Sequence, residues 1–119
     1  MKLLHRSKAL AAYEGARLAI KNNMSYPAYM MLKEAARGVL SYMVEDAFDK
    51  DISEKTKLQR LLEFLDVDAI KPETVEAINI LIEAEDGGLT SILSLDKDDL
   101  NKVKREIKQL IIKYLKEPV

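Results

Sequence analysis

Apolar residues recur at intervals of three and four along nearly the whole chain, the spacing that lays a stripe down one face of a helix. No stretch shows the alternating, Val/Ile/Thr-rich pattern of a half-buried strand. The pattern predicts five helices, at roughly 4–21, 25–48, 54–65, 72–86 and 97–116. The first is rich in alanine (Ala9, Ala11, Ala12, Ala16, Ala19) and stops at Asn22-Asn23. The second opens at Ser25-Tyr26-Pro27, where a proline in the first turn suits its fixed φ and missing donor.

Projected on a helix, Ala28, Leu32, Ala35, Ala36, Val39 and Met43 form one stripe, widened by Tyr29, Leu40 and Ala47 on one flank and Met31 and Tyr42 on the other. So broad an arc predicts a central helix touching at least two neighbours. Ser53 is the expected N-cap of the third helix, with Leu58, Leu61, Leu62 and Leu65 facing inward. The fourth starts at Lys71-Pro72-Glu73, buries Val75, Ile78, Leu81 and Ile82, and is expected to stop at Gly87-Gly88. Asp96 caps the fifth, whose stripe runs Leu100, Val103, Ile107, Leu110, Ile111, Tyr114. Short connections between such helices predict an all-α, up-and-down antiparallel bundle of four to five helices, one domain over 1–119.

Composition narrows the chemistry. The chain of 119 residues has no cysteine, which excludes a disulfide scaffold, a thiol nucleophile and any Cys-ligated metal. No window is apolar enough for a membrane span and no secretory leader is evident, so a cytoplasmic address is expected. The net charge of −1 hides a division: residues 1–44 carry +5, residues 45–99 carry −10, and residues 100–119 carry +4. On the fifth helix Lys102, Arg105, Lys113 and Lys116 line the face opposite the apolar stripe. They are candidates for binding an anion such as nucleic acid, or else an ordinary solvated face partly neutralised by the acidic middle of the chain. No aromatic residue interleaves with them to stack bases. Ile112, projecting from near that same polar face, and Tyr26 and Met30 on the flank of the second helix are candidates for self-association.

Catalytic constellations are absent from the sequence. A single histidine, His5, cannot build a metal site with local partners and reads as a solvated residue of the first turn. Glu83, Glu85 and Asp86 lack the spacing of a calcium loop. The serines have no histidine base in a suggestive context, and no glycine-rich phosphate motif occurs. No metal, cofactor or catalytic residue is expected.

Ala12-Tyr13-Glu14-Gly15-Ala16-Arg17, running into Ser25-Tyr26-Pro27-Ala28-Tyr29-Met30-Met31-Leu32-Lys33-Glu34-Ala35-Ala36, resembles the alanine-rich opening hairpin of the higher eukaryotes and prokaryotes nucleotide-binding (HEPN) family. Residues 57–65 are similar to its short third helix and residues 95–114 to its last, so the likeness follows helix order over nearly the whole chain. Catalytic members share an Arg-x4–6-His motif for RNA cleavage. Here His5 precedes all five arginines (Arg6, Arg17, Arg37, Arg60, Arg105), Lys57 stands where a histidine is frequent, and Glu85-Asp86-Gly87-Gly88 replaces an Arg-containing turn. The resemblance therefore implies a non-catalytic member, typically a homodimer and often the partner of a minimal nucleotidyltransferase. Two functions are expected from different classes: a helical interaction module or accessory substrate-binding subunit, and a nucleic-acid or nucleotide-binding protein using the last helix.

Overall fold

In a computed structural model, which describes residues 2–65 and 70–119, the chain opens with a long hairpin of α1 (Lys2–Lys21) and α2 (Ser25–Phe48). The turn between them is chemically explicit. Asn23 takes a left-handed φ of 58°, which asparagine tolerates better than most residues. The Met24 N–H then reaches the Ala19 carbonyl at 2.9 Å and the Asn23 N–H reaches that of Ile20 at 3.1 Å, a Schellman closure of the helix end.

A segment without regular structure leads to α3 (Leu58–Phe64), followed by α4 (Pro72–Leu93) and α5 (Lys97–Leu110), which runs on into a π turn at Ile111–Leu115. There is no strand among the described residues. Cross-chain contacts fix the directions. Lys33 on α2 pairs with Glu85 on α4, while Thr74 and Glu76 on α4 meet Glu106 and Lys102 on α5. Arg6 near the start of α1 reaches the Leu115 carbonyl and Glu117, and Lys97 at the start of α5 bonds Asn23 at the end of α1. The four long helices thus run up, down, up, down, with the short α3 packed against α2 and α4. The fold is an all-α antiparallel bundle.

The core follows the predicted stripes. Ala28, Leu32, Ala35, Ala36, Val39 and Met43 are buried, as are Ile78, Leu81, Leu100, Val103, Ile107, Leu110 and Ile111. α2 packs on all four other helices, and its alanines let α1 approach closely. Gly38 marks the tightest point: a Cβ there would lie 2.9 Å from both the Ala9 Cβ and the His5 carbonyl oxygen. Asp96 caps α5 reciprocally. Its Oδ1 accepts from the Asp99 N–H at 2.8 Å, and its own N–H donates to Asp99 Oδ2 at 3.2 Å.

Five expectations need correction. α3 begins at Leu58, not near Ser53; the Ser53 hydroxyl instead accepts from the Lys55 N–H within a turn. Ile52 is buried and drags this segment across the end of the hairpin, so the helix cannot start until the chain has turned away. Gly87-Gly88 does not end α4. The helix breaks at Gly88 (φ 79°, ψ −168°), a conformation open only to glycine, and resumes to Leu93 because Ile92 finds a buried place. α5 does not continue as a regular helix to 116, since the π turn widens its last turn and Lys116 leaves in a left-handed conformation. His5 is not solvated, for the reasons given below. Ala47, placed on the broad stripe of α2, is exposed.

Candidate functional site

The cations of the last helix do not form an unoccupied row. Lys102 donates to Glu76 of α4 at 2.8 Å, so the acidic middle of the chain neutralises it directly. Arg105 is exposed, while Lys113 sits over the Tyr114 ring at 5.2 Å, and the π turn takes Lys113 and Lys116 out of helical register with the first two. Glu85, one of the acidic residues near the end of α4, is held by Lys33 at 3.0 Å. Among the described residues no group of three or more His, Asp or Glu could hold a metal ion, and no helix is long and apolar enough to cross a membrane.

The self-association candidates are split. Tyr26 is exposed at the start of α2 and Met30, one turn on, is half-buried, whereas Ile112 is exposed in the π turn that follows α5. Tyr26 has company that its local sequence did not announce. At the same end of the bundle, where α1 and α4 finish and α2 begins, Leu18, Met24, Leu89 and Leu93 are also exposed, the last two at 59% and 56%. Leu89 and Leu93 are there because Gly88 breaks α4: the resumed turn turns Ile92 inward and these two leucines out.

The opposite end of the α1/α2 hairpin holds the buried polar chemistry. His5 is 2% exposed and Glu45 6%. His5 Nε2 lies 3.0 Å from Glu45 Oε2 and 3.0 Å from the Ile52 carbonyl oxygen. Both partners are acceptors, so Nε2 carries the proton and donates to each. The Ile52 N–H donates to the same Glu45 oxygen at 2.6 Å. The cluster closes on itself, which offsets the cost of burying three polar groups and ties the following segment to the helix ends.

Next to it, His5, Lys8, Glu34, Arg37, Gly38, Glu54 and Lys55 surround a cavity of about 200 Å³. Each of three elements supplies one cation: Lys8 from α1, Arg37 from α2, Lys55 from the segment before α3. Lys8 pairs with Glu54 at 2.8 Å, and Arg37 Nη1 donates to Glu34 at 2.8 Å. The Lys8 hydrogen bond and charge, helped by His5, hold the Glu54 carboxyl below the ordinary carboxylate range. The Arg37 Nε–H is buried without a hydrogen-bond partner among the described residues. A larger open groove, about 570 Å³, follows α4 along Val75, Ile80, Glu76 and Glu83, away from these cations.

No family model, curated protein or solved structure matches the chain. The candidate surfaces therefore stand on their own chemistry. Local sequence could not reveal the cavity, because its walls come from positions up to 50 residues apart and its arginine and lysines look like ordinary surface charges.

Proposed function

We propose that the protein is a non-catalytic helical interaction module that pairs with a second copy of itself through the end of the bundle carrying Tyr26. The observation that carries this reading is that Leu18, Met24, Tyr26, Leu89 and Leu93, five large apolar side chains, are left exposed at the same end of the bundle. Several large apolar side chains exposed at one end of a small protein are a reason for association, whereas single ones are ordinary. Pairing two copies there by a two-fold axis would place each leucine pair against its symmetry mate's apolar surface. The HEPN-like order of helices supports the same reading and suggests service as an accessory substrate-binding subunit, for instance of a minimal nucleotidyltransferase. On its cysteine-free composition we assign it to the cytoplasm. Nucleic-acid or nucleotide binding by the last helix is the second reading. It has exposed Arg105 in its favour and the Lys102–Glu76 pair against it.

Light scattering across a concentration series tests the pairing. A dimer is expected for the native chain, and Tyr26→Lys with Leu93→Lys should shift it to monomer while the helical circular dichroism is kept. A native chain that stays monomeric at high micromolar concentration overturns the reading, as does a dimer indifferent to both substitutions.

A further inference from the structure

α4 is the most one-sided helix of the bundle in charge: it carries Glu73, Glu76, Glu83, Glu85 and Asp86 and no lysine or arginine. Lys33 takes Glu85 and Lys102 takes Glu76, while Glu83 has no ion-pair partner among the described residues. Two depressions lie along this helix and share Ile80 and Glu83, so they join into one open trough. The first, about 570 Å³, has Ile70, Val75 and Ile80 on its apolar walls, and the second, about 300 Å³, leads past Ala84 to Leu95. Val75, Ile80 and Leu95 are only half-buried, so part of their apolar surface faces water. Glu76 and Glu83, both exposed, stand two helical turns apart, about 10.5 Å along the axis, with Asn79 between them.

We propose that this trough takes a basic amphipathic helix of a partner protein, its apolar side chains on Val75, Ile80 and Leu95 and a lysine or arginine opposite Glu83. Charge complementarity selects the sign of the partner. The backbone selects its conformation. The main chain of α4 is already bonded within the helix, and there is no sheet edge among the described residues, so an extended peptide would find no backbone partner. A helical segment satisfies its own main chain and repeats its side chains at the same two-turn interval. Cations seven residues apart on it therefore meet Glu76 and Glu83 together. Glu83 carries more of the pairing, because a cation at Glu76 competes with Lys102. From Val75 to Ala84 the trough follows α4 for about 14 Å, so a partner segment of about ten residues fills it. This surface extends the interaction-module reading and does not rest on self-association, which uses the end of the bundle carrying Tyr26.

The test is a titration of a fluorescently labelled synthetic peptide of about 14 residues with the full chain, read by anisotropy at constant ionic strength. The probe carries leucines at three- and four-residue spacing on one face and flanking lysines, two of them seven residues apart. A scrambled peptide of identical composition, its leucines dispersed around the helix, is the control. Saturable binding of the probe is expected, at least about tenfold tighter than that of the scrambled peptide. Glu83→Lys, at an exposed position where the helical circular dichroism should be kept, is expected to weaken it by about tenfold or more, because the reversed charge repels the probe's cation. Asp86→Lys changes the net charge equally but lies outside the trough, and should weaken binding by less than about threefold. Equal binding of the two peptides overturns the proposal. So does an affinity unchanged in Glu83→Lys, or lowered as much by Asp86→Lys. Self-association lost in Glu83→Lys, seen by light scattering, would make the occupant a second copy and overturn the partner reading.

Discussion

Tyr29 shows how a single residue can fit its sequence pattern and still carry an uncompensated atom. Its ring is buried on the broad face of α2, but its hydroxyl has no hydrogen-bond partner among the described residues. Burial, reinforced by the nearby Glu85 charge, pushes its pKa up to about 12 from the ordinary 10.0. The folded chain therefore keeps this proton where the unfolded chain has lost it. Stability from this group is complete below pH 10 and falls as pH rises from there toward 12. Tyr29→Phe should remove that alkaline loss and leave neutral-pH stability unchanged or raised by up to about 1 kcal/mol, measured by urea denaturation at pH 7 and pH 11. His5 teaches the converse. Its partners lie 40 and 47 residues away, so nothing in its neighbourhood distinguishes a buried donor from a solvated imidazole. Arg37 is hidden the same way, since a helical arginine three residues after a glutamate reads as a surface pair.

At the level of elements, periodicity located the helices and misjudged their ends wherever a distant contact overrode a local signal. The bounds of α2 and the cap of α5 could be read directly, because Pro27 and the Asp96/Asp99 pair act within one turn. Ser53 and Gly87-Gly88 could not, because buried Ile52 delays α3 and buried Ile92 extends α4. The closeness of α1 and α2 also rests on a distant contact, at a residue whose periodicity gives no warning. Gly38→Ala would press its Cβ into the His5 carbonyl and the Ala9 backbone and side chain, none of them a flexible tip. The helices would have to part, at a cost of about 1–3 kcal/mol in chemical denaturation.

For the whole molecule, balanced net charge conceals organisation that only the fold displays. The basic first and last segments flank the acidic α4, and Lys33–Glu85 and Lys102–Glu76 stitch them across helix boundaries. Exposed pairs of this kind contribute little each and are weakened by salt, so the apolar core carries the stability. Pairing of copies adds a second contribution that depends on concentration: the melting temperature of the native chain should rise as the protein is concentrated, and that of the Tyr26→Lys, Leu93→Lys chain should not. The break at Gly88 has a kinetic consequence as well. Residues 89–93 are fastened to the rest of α4 through a residue without a side chain, and only Ile92 anchors them in the core. That stretch should open and close on its own while the remainder of the helix stays shut. Its amide hydrogens would then trade with deuterium long before those of 74–86, and dimer formation over Leu89 and Leu93 would slow the trade.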